Sequence, residues 1–500
     1  MSHEAITRRG AITGALLGGA ALALPSTKAN AQQHGAAATP APAPKDVRPV
    51  MPAITQYIAS ANGAQVPEEV RDMARQHILD TLISIIACRD LEAAALARDY
   101  VAASGGAGAI PILGSTARAG LIDAVFASAM TAHGAEINDF IPSAFVQPGP
   151  SIVSAALLLG QIRKKNGRQV MDAVIAGYEL AGRIPKTIGT VNLSRAGLAN
   201  HGIGPVFGTA AAAASLIGLD AAQVGHVISY CAQQASGSWQ WMLDVRHVEK
   251  AFVFAGMGAR NGLQAALMVE SGFTGVPDSF DIEGGWLRSA AFSGEDANRA
   301  YLIEQLGTRF ELPETAFKRY PSGGPTQPAV EALLALRQQV KPAEVSHIRI
   351  AMPGRWQAFR DANMPALNLP YLASIIMLDG KLDFVAAQSL ERMHNDPAVA
   401  AFRRKVEVVH DPAQEAAKGE PRTESARVTI TRTKKPQLEK YVPFVRGFPS
   451  HPMSRADVEA KAHELADPIV GRAVVDELIN RTRGLDEEPN MDALVSLVTR

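Results

Sequence analysis

Long apolar segments with almost no polar face are the feature that most constrains this chain. Residues 151–160 read SIVSAALLLG, and residues 207–217 read FGTAAAAASLI. A helix that is apolar on all sides must be surrounded by other elements, because an exposed face would leave apolar surface in water. The five consecutive alanines at 210–214 also permit close contact between helices. We therefore predict a helical bundle with buried inner helices.

The spacing of apolar residues divides the chain into parts. It is helical from residue 53 to residue 312 and predicts, among other helices, one over residues 295–306. Polar and apolar residues then alternate in HIRIAM, KVEVVHD and ESARVTITRT, which predicts strands. Helical spacing returns at residue 448. We predict a mainly α protein: an all-helical domain formed by residues 53–312 and 448–500, with a smaller α+β lid domain, residues 313–447, inserted into it.

Charge and cysteine content exclude several classes of protein. The chain has 49 Lys+Arg and 49 Asp+Glu in 500 residues, whereas nucleic-acid binders usually carry a basic excess, so we predict no nucleic-acid partner. Two cysteines, Cys88 and Cys231, are too few for a disulfide framework, a Cys₄ zinc site or a [4Fe–4S] cluster. The motifs HExxH, GxSxG and GxxxxGK[ST] are absent from the sequence, which removes zincin, serine-hydrolase and P-loop interpretations.

Residues 1–31 have the organisation of an export signal. Adjacent arginines at positions 8 and 9 precede an apolar run, and an A-x-A site ends at Ala31. The arginine pair and the weakly apolar run are typical of the twin-arginine route. The alternative, a membrane anchor, would need a longer apolar run. We predict cleavage after Ala31, an Ala/Pro-rich linker over residues 32–52, a periplasmic location and no stable membrane insertion of the mature protein.

Four polar segments interrupt the apolar helices and are candidates for a functional site. They are AHGAEINDF with the following QPGP, AGLANHGIGPVFG, SWQWMLDVRHVEKAF and FKRYPSGGPTQP. The structural alternatives are a helix end with a solvated turn, a structural His201 and a solvated charged face. The fourth segment is the strongest candidate, because Lys318 and Arg319 precede a Gly-rich turn that opens a helix near Thr326, an arrangement suited to carboxylates. Together the segments predict metal-free chemistry on a carboxylated small molecule.

The order and content of these segments resemble the MmgE/PrpD family, which includes 2-methylcitrate dehydratase, cis-aconitate decarboxylase and an iminodisuccinate epimerase. Further resembling stretches are QPGPSIVSAALLLGQ, GYELAGRI, ARNGLQAALMVESGFTGVPD and NLPYLASIIMLDG. The resemblance runs from about residue 53 to about residue 480. It implies an all-helical domain with an α+β lid, a homodimer, and catalysis without a metal or other cofactor.

The acidic motif and the histidines of the family are only partly present. Its D-x-D-D-T reads E-I-N-D-F here, so Asp139 matches the motif, whereas Glu136 and Asn138 stand in place of aspartates. The family's His-Pro-Gly begins with Gln147, and the histidine usual after the threonine of the fourth segment is Gln327. A glutamine amide does not exchange protons near neutral pH, so these departures bear directly on the chemistry.

The lysines of the family are better matched. Lys318 fits the family's K-x-x-P, and Lys250 lies about one residue from the position of the other lysine. His201 lies two positions beyond the histidine that precedes the buried helix in the family, so it could take that role only with a local shift.

We therefore predict a lyase, similar to 2-methylcitrate dehydratase, that removes a proton alpha to a carboxylate of a small di- or tricarboxylate. Asp139 would be the base or orient it, His201 would donate a proton, and Lys318 with Lys250 would neutralise carboxylate charge. Two alternatives stay open: an epimerase or isomerase of a dicarboxylate, and a carboxylate-binding protein without catalysis. The predicted substrate-binding residues are Glu136, Asn138, Gln147, Arg319, Thr326 and Gln327.

The export signal gives a first test. Replacing Arg8 and Arg9 with lysine should retain a full-length precursor inside the cell, because the twin-arginine route recognises the arginine pair. Immunoblots of periplasmic and cellular fractions measure this, and N-terminal sequencing of the wild-type protein should begin at Gln32. Export of the double variant at the wild-type level would contradict the prediction.

Overall fold

Helices make up most of the structure, which confirms the predicted mainly α fold. The computed structural model describes residues 48–105, 108–294, 296–417 and 424–499. The predicted export signal, residues 1–31, and most of the predicted linker lie outside the described residues. Within the described part of the chain, no helix has an apolar stretch long enough to cross a membrane.

The first part of the chain folds into helices α1 to α11, with the short strands β1 and β2 between α3 and α4. Residues 149–160 and 200–216 are buried at every position, so α5 and α8 are inner helices, as their apolar sequences predict. The bounds are α1 Met51–Ala59, α2 Glu68–Cys88, α3 Glu92–Ser104, β1 Ile110–Pro111, β2 Arg118–Ala119, α4 Leu121–Ala132, α5 Gly149–Ile162, α6 Gly167–Ile188, α7 Thr190–Arg195, α8 Asn200–Ile217, α9 Ala221–Gln234, α10 Val248–Ala251 and α11 Met257–Glu270.

Two glycines allow α6 and α8 to cross in backbone contact. A Cβ atom on Gly177 would lie 2.9 Å from the carbonyl oxygen of Gly208, and one on Gly208 would lie 2.7 Å from the carbonyl oxygen of Gly177. Any larger residue would push the helices apart, because these separations are shorter than carbon–oxygen contacts allow. The crossing therefore fixes the position of α8, whose first turn carries His201.

A second hydrophobic core surrounds a four-stranded sheet in the order β4-β3-β5-β6. Strand β3 is parallel to β4 and antiparallel to β5, and β5 pairs antiparallel with β6. Ile350 pairs with Val408 and Val428, and all three are buried on the side of the sheet that helices α12 and α14 cover. The bounds are α12 Gln327–Arg337, β3 Val345–Met352, α13 Trp356–Arg360, α14 Leu369–Asp379, α15 Phe384–Gln388, α16 Leu390–Asn395, α17 Pro397–Arg403, β4 Val406–His410, β5 Ala426–Arg432 and β6 Lys435–Val442.

The three predicted strands correspond to β3, β4 and β5, whereas β6 was not predicted. Six of its eight residues are exposed, because it is the edge strand of the sheet. Its sequence, KPQLEKYV, therefore lacks the apolar alternation that marks a half-buried strand.

The predicted helix over residues 295–306 is wrong. The described residues of this range form only a 3₁₀ turn, Arg299–Leu302, within irregular chain. Buried Arg183 explains the difference, because its Nη1 donates to the carbonyl oxygens of Tyr301 and Glu304, each at 2.9 Å. These carbonyls are thus satisfied by a guanidinium from α6 instead of by helical hydrogen bonds.

The end of the chain returns to the first core in helices α18 Arg455–Val470, α19 Arg472–Arg483 and α20 Asp492–Val498. The second core consists of Phe140, Ala316 and buried hydrophobic residues between Ala329 and Phe448, whereas buried hydrophobic residues from Met453 to Val498 belong to the first. The domain boundaries given by the sequence, and movement of the smaller part as a lid, stay predictions.

A buried ion pair attaches α18 to α2. Lys461 Nζ lies 2.5 Å from Asp80 Oδ1 and donates to the carbonyl oxygen of Ile137 at 2.6 Å. Both charged side chains are almost completely buried. Removing one partner of such a pair is strongly destabilising, because the other charge then stays buried without compensation.

We expect Lys461→Met to lower the free energy of unfolding by about 3–5 kcal/mol. Urea unfolding followed by circular dichroism measures the change. Lys381→Met is the control: its side chain is 72% exposed, so it should shift the free energy by less than about 0.5 kcal/mol. The double variant Asp80→Asn/Lys461→Met should recover part of the loss. Wild-type stability of Lys461→Met would show that the ion pair does not hold α18.

Candidate active site

A cavity of about 150 Å³ lies between the two hydrophobic cores. The helical part and the α+β part both contribute to its walls. We call it the site cavity. Its lining includes, from the helical part, Glu136, Phe140, Gln147, His201, Trp239, Trp241, Lys250 and Phe254, and from the α+β part Gly323, Gly324, Pro325, Arg355, Phe359 and Glu424.

The carboxylate of Glu136 is the centre of a buried charged cluster at this cavity. It accepts hydrogen bonds from Lys318 Nζ at 2.9 Å and His247 Nε2 at 3.1 Å, and Lys250 Nζ forms an ion pair with it. All four side chains are buried. We refer to Glu136, His247, Lys250 and Lys318 as the Glu136 cluster.

The cluster changes the proton affinity of its members. Burial alone would raise the pKa of Glu136, but the ammonium groups of Lys250 and Lys318 and the hydrogen bond from His247 hold that pKa well below its usual value. Burial lowers the pKa of Lys250, and Lys318 lowers it further, although Glu136 opposes the change. At neutral pH Glu136 is therefore a carboxylate, and Lys250 releases its proton more readily than a solvated lysine does.

His201 lines the site cavity from the first turn of α8. Its Nδ1 lies 3.0 Å from Gln147 Oε1, and its ring stacks on Phe254 with 4.0 Å between ring centroids. Burial, with a further contribution from Lys250, lowers the pKa of His201 well below its usual value, so the ring is neutral at pH 7. Because the amide oxygen accepts from Nδ1–H, the lone pair is on Nε2, which makes that atom a proton acceptor.

Lys250 is followed by an unusual helical turn. Helix α10 continues into a π-helical turn, Phe252–Gly256, before α11 begins. The ring of Phe254, within this turn, is sandwiched in stacking contacts with His201 and His133, the latter at 4.9 Å between centroids. π-Helical turns inside helices often occur at functional sites.

Two buried histidines of the site were not among the predicted site residues. His133 Nδ1 lies 2.6 Å from Asn138 Oδ1, and His247 Nε2 donates to Glu136 as described above. His247 has a positive φ of 61°, a conformation that non-glycine residues rarely adopt. Each histidine stands three residues before a predicted site residue, Glu136 or Lys250, and this spacing was the available signal.

His133, Glu136 and His247 could also be considered as metal ligands. One potential ligand atom from each lies within 4.8 Å of the others. Two histidines and a carboxylate are a known donor set for zinc and iron. However, the ammonium groups of Lys250 and Lys318 already contact both oxygens of this carboxylate, so a divalent cation would lie beside two positive charges. The residues present therefore do not suit a metal, and we derive no step through one.

Asp139 does not line the site cavity, although it was predicted as the base. Its carboxylate accepts from Tyr178 Oη at 2.6 Å and from the backbone N–H of Gly149 at 3.2 Å. His77 Nδ1 lies 2.9 Å from the same carboxylate, but not in hydrogen-bond geometry. All of these partners belong to the interior of the helical part. Asp139 therefore holds the segment that carries Glu136 against α5 and α6.

The structure brings five of the ten predicted residues together at the site cavity, with Lys318 immediately behind its lining. These five are Glu136, Gln147, His201, Lys250 and Lys318. The other five predicted residues, of which Asp139 is one, do not line the cavity. Arg319 pairs with Glu464 at 2.9 Å, and Thr326 Oγ1 donates to the carbonyl oxygen of Gly323 at 2.7 Å.

Gln327 and Asn138 hydrogen-bond to the protein instead of facing the cavity. Gln327 accepts from the backbone N–H of Tyr320 at 3.0 Å and donates to the carbonyl oxygen of Ser322 at 2.7 Å, which closes the Gly-rich turn. Asn138 Nδ2 donates to the carbonyl oxygen of Asp139 at 2.9 Å. A local role in shaping the backbone explains both without contact to a ligand.

Comparison with known proteins agrees with this architecture. The chain matches the MmgE/PrpD N-terminal domain over residues 52–299 and the MmgE/PrpD C-terminal domain over residues 320–485. It is also 23% identical over 305 residues to the cis-aconitate decarboxylase-like protein oryM of Aspergillus oryzae. That match covers 57% of this chain and 61% of the length of the relative. With both domains matched in order, the chain belongs to the MmgE/PrpD family.

Proposed function

We propose that the protein is a lyase, similar to 2-methylcitrate dehydratase, that removes a proton alpha to a carboxylate of a small di- or tricarboxylate. One observation carries the proposal: His201, a neutral imidazole with its acceptor on Nε2, lines the same cavity as the Glu136 cluster. The family includes lyases, and a relative is described as cis-aconitate decarboxylase-like, which supports this reaction class. Export to the periplasm and a homodimer are further parts of the proposal.

The roles follow from the positions of the residues. His201 Nε2 takes the alpha proton, and Gln147 keeps the ring in the required tautomer. Lys250 stabilises the negative charge that then spreads onto the substrate carboxylate. In a dehydration, the C–O bond breaks, the proton of Lys250 goes to the leaving hydroxyl group, and a carbon–carbon double bond forms. Asp139 takes no proton in this scheme, because it faces the interior of the helical part.

An epimerase of a dicarboxylate is the second candidate. The same proton removal would be followed by return of a proton to the opposite face, without a leaving group. Gln147 stands where the family has a histidine, and an amide cannot supply a proton near neutral pH. This observation favours a reaction with fewer proton donors than a citrate-type dehydration needs. A carboxylate-binding protein without catalysis is the remaining alternative.

Exchange of the alpha proton separates these alternatives. The enzyme is incubated in D₂O with a panel of di- and tricarboxylates that includes 2-methylcitrate, and deuterium incorporation and products are followed by NMR. We expect exchange or turnover of at least one acid, reduced by about 10²–10⁴-fold in His201→Gln, because general-base catalysis contributes that much. Asp139→Asn is the comparison for a direct role of the predicted base.

Each result of this assay supports one of the alternatives and contradicts another. Thermal stabilisation by an acid without exchange or products would mean binding without catalysis. A larger rate loss in Asp139→Asn than in His201→Gln, at equal folding by circular dichroism, would restore Asp139 as the base. The reactions are run with and without excess chelator, and activity that appears only in its absence would contradict metal-independent chemistry.

The rate should depend on pH in two ways. Burial and Lys250 lower the pKa of His201 well below 6.5, so the base stays neutral at pH 6.5 and is lost only as the pH falls through the lowered value. Burial lowers the pKa of Lys250 below 10.5, so the acid is lost as the pH rises through that lowered value. A profile of kcat/KM against pH measures both limbs. An acid limb at or above pH 6.5 would contradict the assignment of His201 as the base.

A further inference from the structure

The walls of the site cavity are mostly apolar and include six aromatic rings of Phe and Trp. Trp239, Trp241 and Phe254 form one side, and Phe359 lies on the α+β side. Trp241 packs edge to face on Phe254 with 4.7 Å between centroids, and the Trp239 and Trp241 rings are 5.9 Å apart. A small, highly charged acid would leave this apolar surface without a partner.

The positive charges around the cavity are largely neutralised by the protein. Lys250 and Lys318 both pair with Glu136, and Glu424 adds a second acidic side chain to the lining. Among the described residues of the lining and the Glu136 cluster, Lys250, Lys318 and Arg355 are basic and Glu136 and Glu424 are acidic, which leaves a formal excess of one positive charge. A tricarboxylate brings up to three negative charges, which this excess does not balance.

Arg355 is the basic side chain best placed to meet a ligand. It is exposed, it lines the cavity, and its guanidinium lies 5.1 Å from the centroid of the Trp239 ring. Among the described residues, no acidic side chain forms an ion pair with it. A guanidinium stacked on an aromatic ring keeps its edge available for a bidentate carboxylate.

The size of the cavity indicates what occupies the aromatic part. Its volume is about 150 Å³. An engineered apolar cavity of about 150 Å³ in another protein binds one benzene molecule. A ring-sized apolar group therefore fills the site cavity, and a carboxylate attached to it would extend to Arg355, whose side chain is exposed.

We propose that the substrate carries an apolar group of about six carbons, which contacts Trp239, Trp241 and Phe254, beside a carboxylate that Arg355 binds. The inference rests on the proposed function, because it takes the site cavity as the substrate site. It narrows the substrate class to carboxylates with an apolar substituent and disfavours compact tricarboxylates.

Three acids with one skeleton test the proposal. Succinate, phenylsuccinate and tricarballylate differ only in one substituent: hydrogen, phenyl or carboxymethyl. Isothermal titration calorimetry of the full mature protein should give a Kd for phenylsuccinate at least about 10-fold lower than for either of the others, since a matched apolar pocket discriminates by roughly that factor or more. Tighter binding of tricarballylate, equal affinities, or no binding of phenylsuccinate would overturn the proposal.

The alpha-proton assay distinguishes failure here from failure of the proposed function. Preferred binding of phenylsuccinate with no exchange or turnover of any acid would support this inference and contradict the lyase. Exchange or turnover of acids without any preference for the phenyl substituent would support the lyase and contradict this inference.

Substitutions in the cavity lining test which side chains contact the ligand. Arg355→Gln should weaken both succinate and phenylsuccinate by about 10-fold, because a charge-assisted hydrogen bond is lost. Arg360→Gln is the matched control: Arg360 ends helix α13, which Arg355 directly precedes, and it pairs with Asp361, so both affinities should stay unchanged.

Trp239→Ala should reduce the ratio of the phenylsuccinate and succinate affinities by several-fold, because the phenyl group loses one wall of the cavity. If that variant folds poorly, Met242→Gln makes the lining more polar at nearly constant size and should reduce the same ratio. A ratio unchanged in folded variants at both positions would contradict contact between the substituent and this wall.

Discussion

The interaction of Glu136 with Lys250 and Lys318 joins three distant parts of the chain at one carboxylate. Glu136 follows α4, Lys250 lies on α10, and Lys318 leads into the Gly-rich turn before α12. All three charged groups are buried, so the loss of Glu136 would leave both ammonium groups without compensation, at a cost of several kcal/mol. The helical part and the α+β part therefore meet at the site cavity with their charged groups already in place.

Glu136 and Asp139 are three residues apart in the sequence, and their carboxylates face opposite sides of the same segment. Glu136 faces the cavity, whereas Asp139 binds Tyr178 and the first N–H of α5 in the opposite direction. Their segment also receives Lys461 from α18 through the carbonyl oxygen of Ile137. The short segment is thus held from the bundle side by fixed partners, and the geometry of the Glu136 cluster depends on that support.

The sequence predicts the fold better than the site. The periodicity of apolar residues predicts the inner helices and three of the strands, because buried faces require apolar residues at regular spacing. Strand β6 lies at the exposed edge of the sheet, so its sequence lacks this spacing and did not predict a strand. At the site, residue type indicates Glu136 and Lys318, but a sequence does not tell which way a side chain points, so Asp139 was assigned to the cavity. Arg355 belongs to the α+β part and lines the cavity only because the two parts of the fold pack together. Periodicity and motifs concern neighbouring residues in the sequence, so they do not indicate this contact.

The π-helical turn at Phe252–Gly256 affects how this chain should be compared with its relatives. Such a turn closes hydrogen bonds from residue i to i+5 and so contains one residue more than an α-helical turn. Gain or loss of a single codon can therefore be absorbed there, without displacing either Lys250 or α11. One extra residue in this turn would produce a one-residue offset like that of Lys250 from the family pattern. The equivalent lysine in a relative is then found by superposition in space, and counting back from α11 would select the wrong residue.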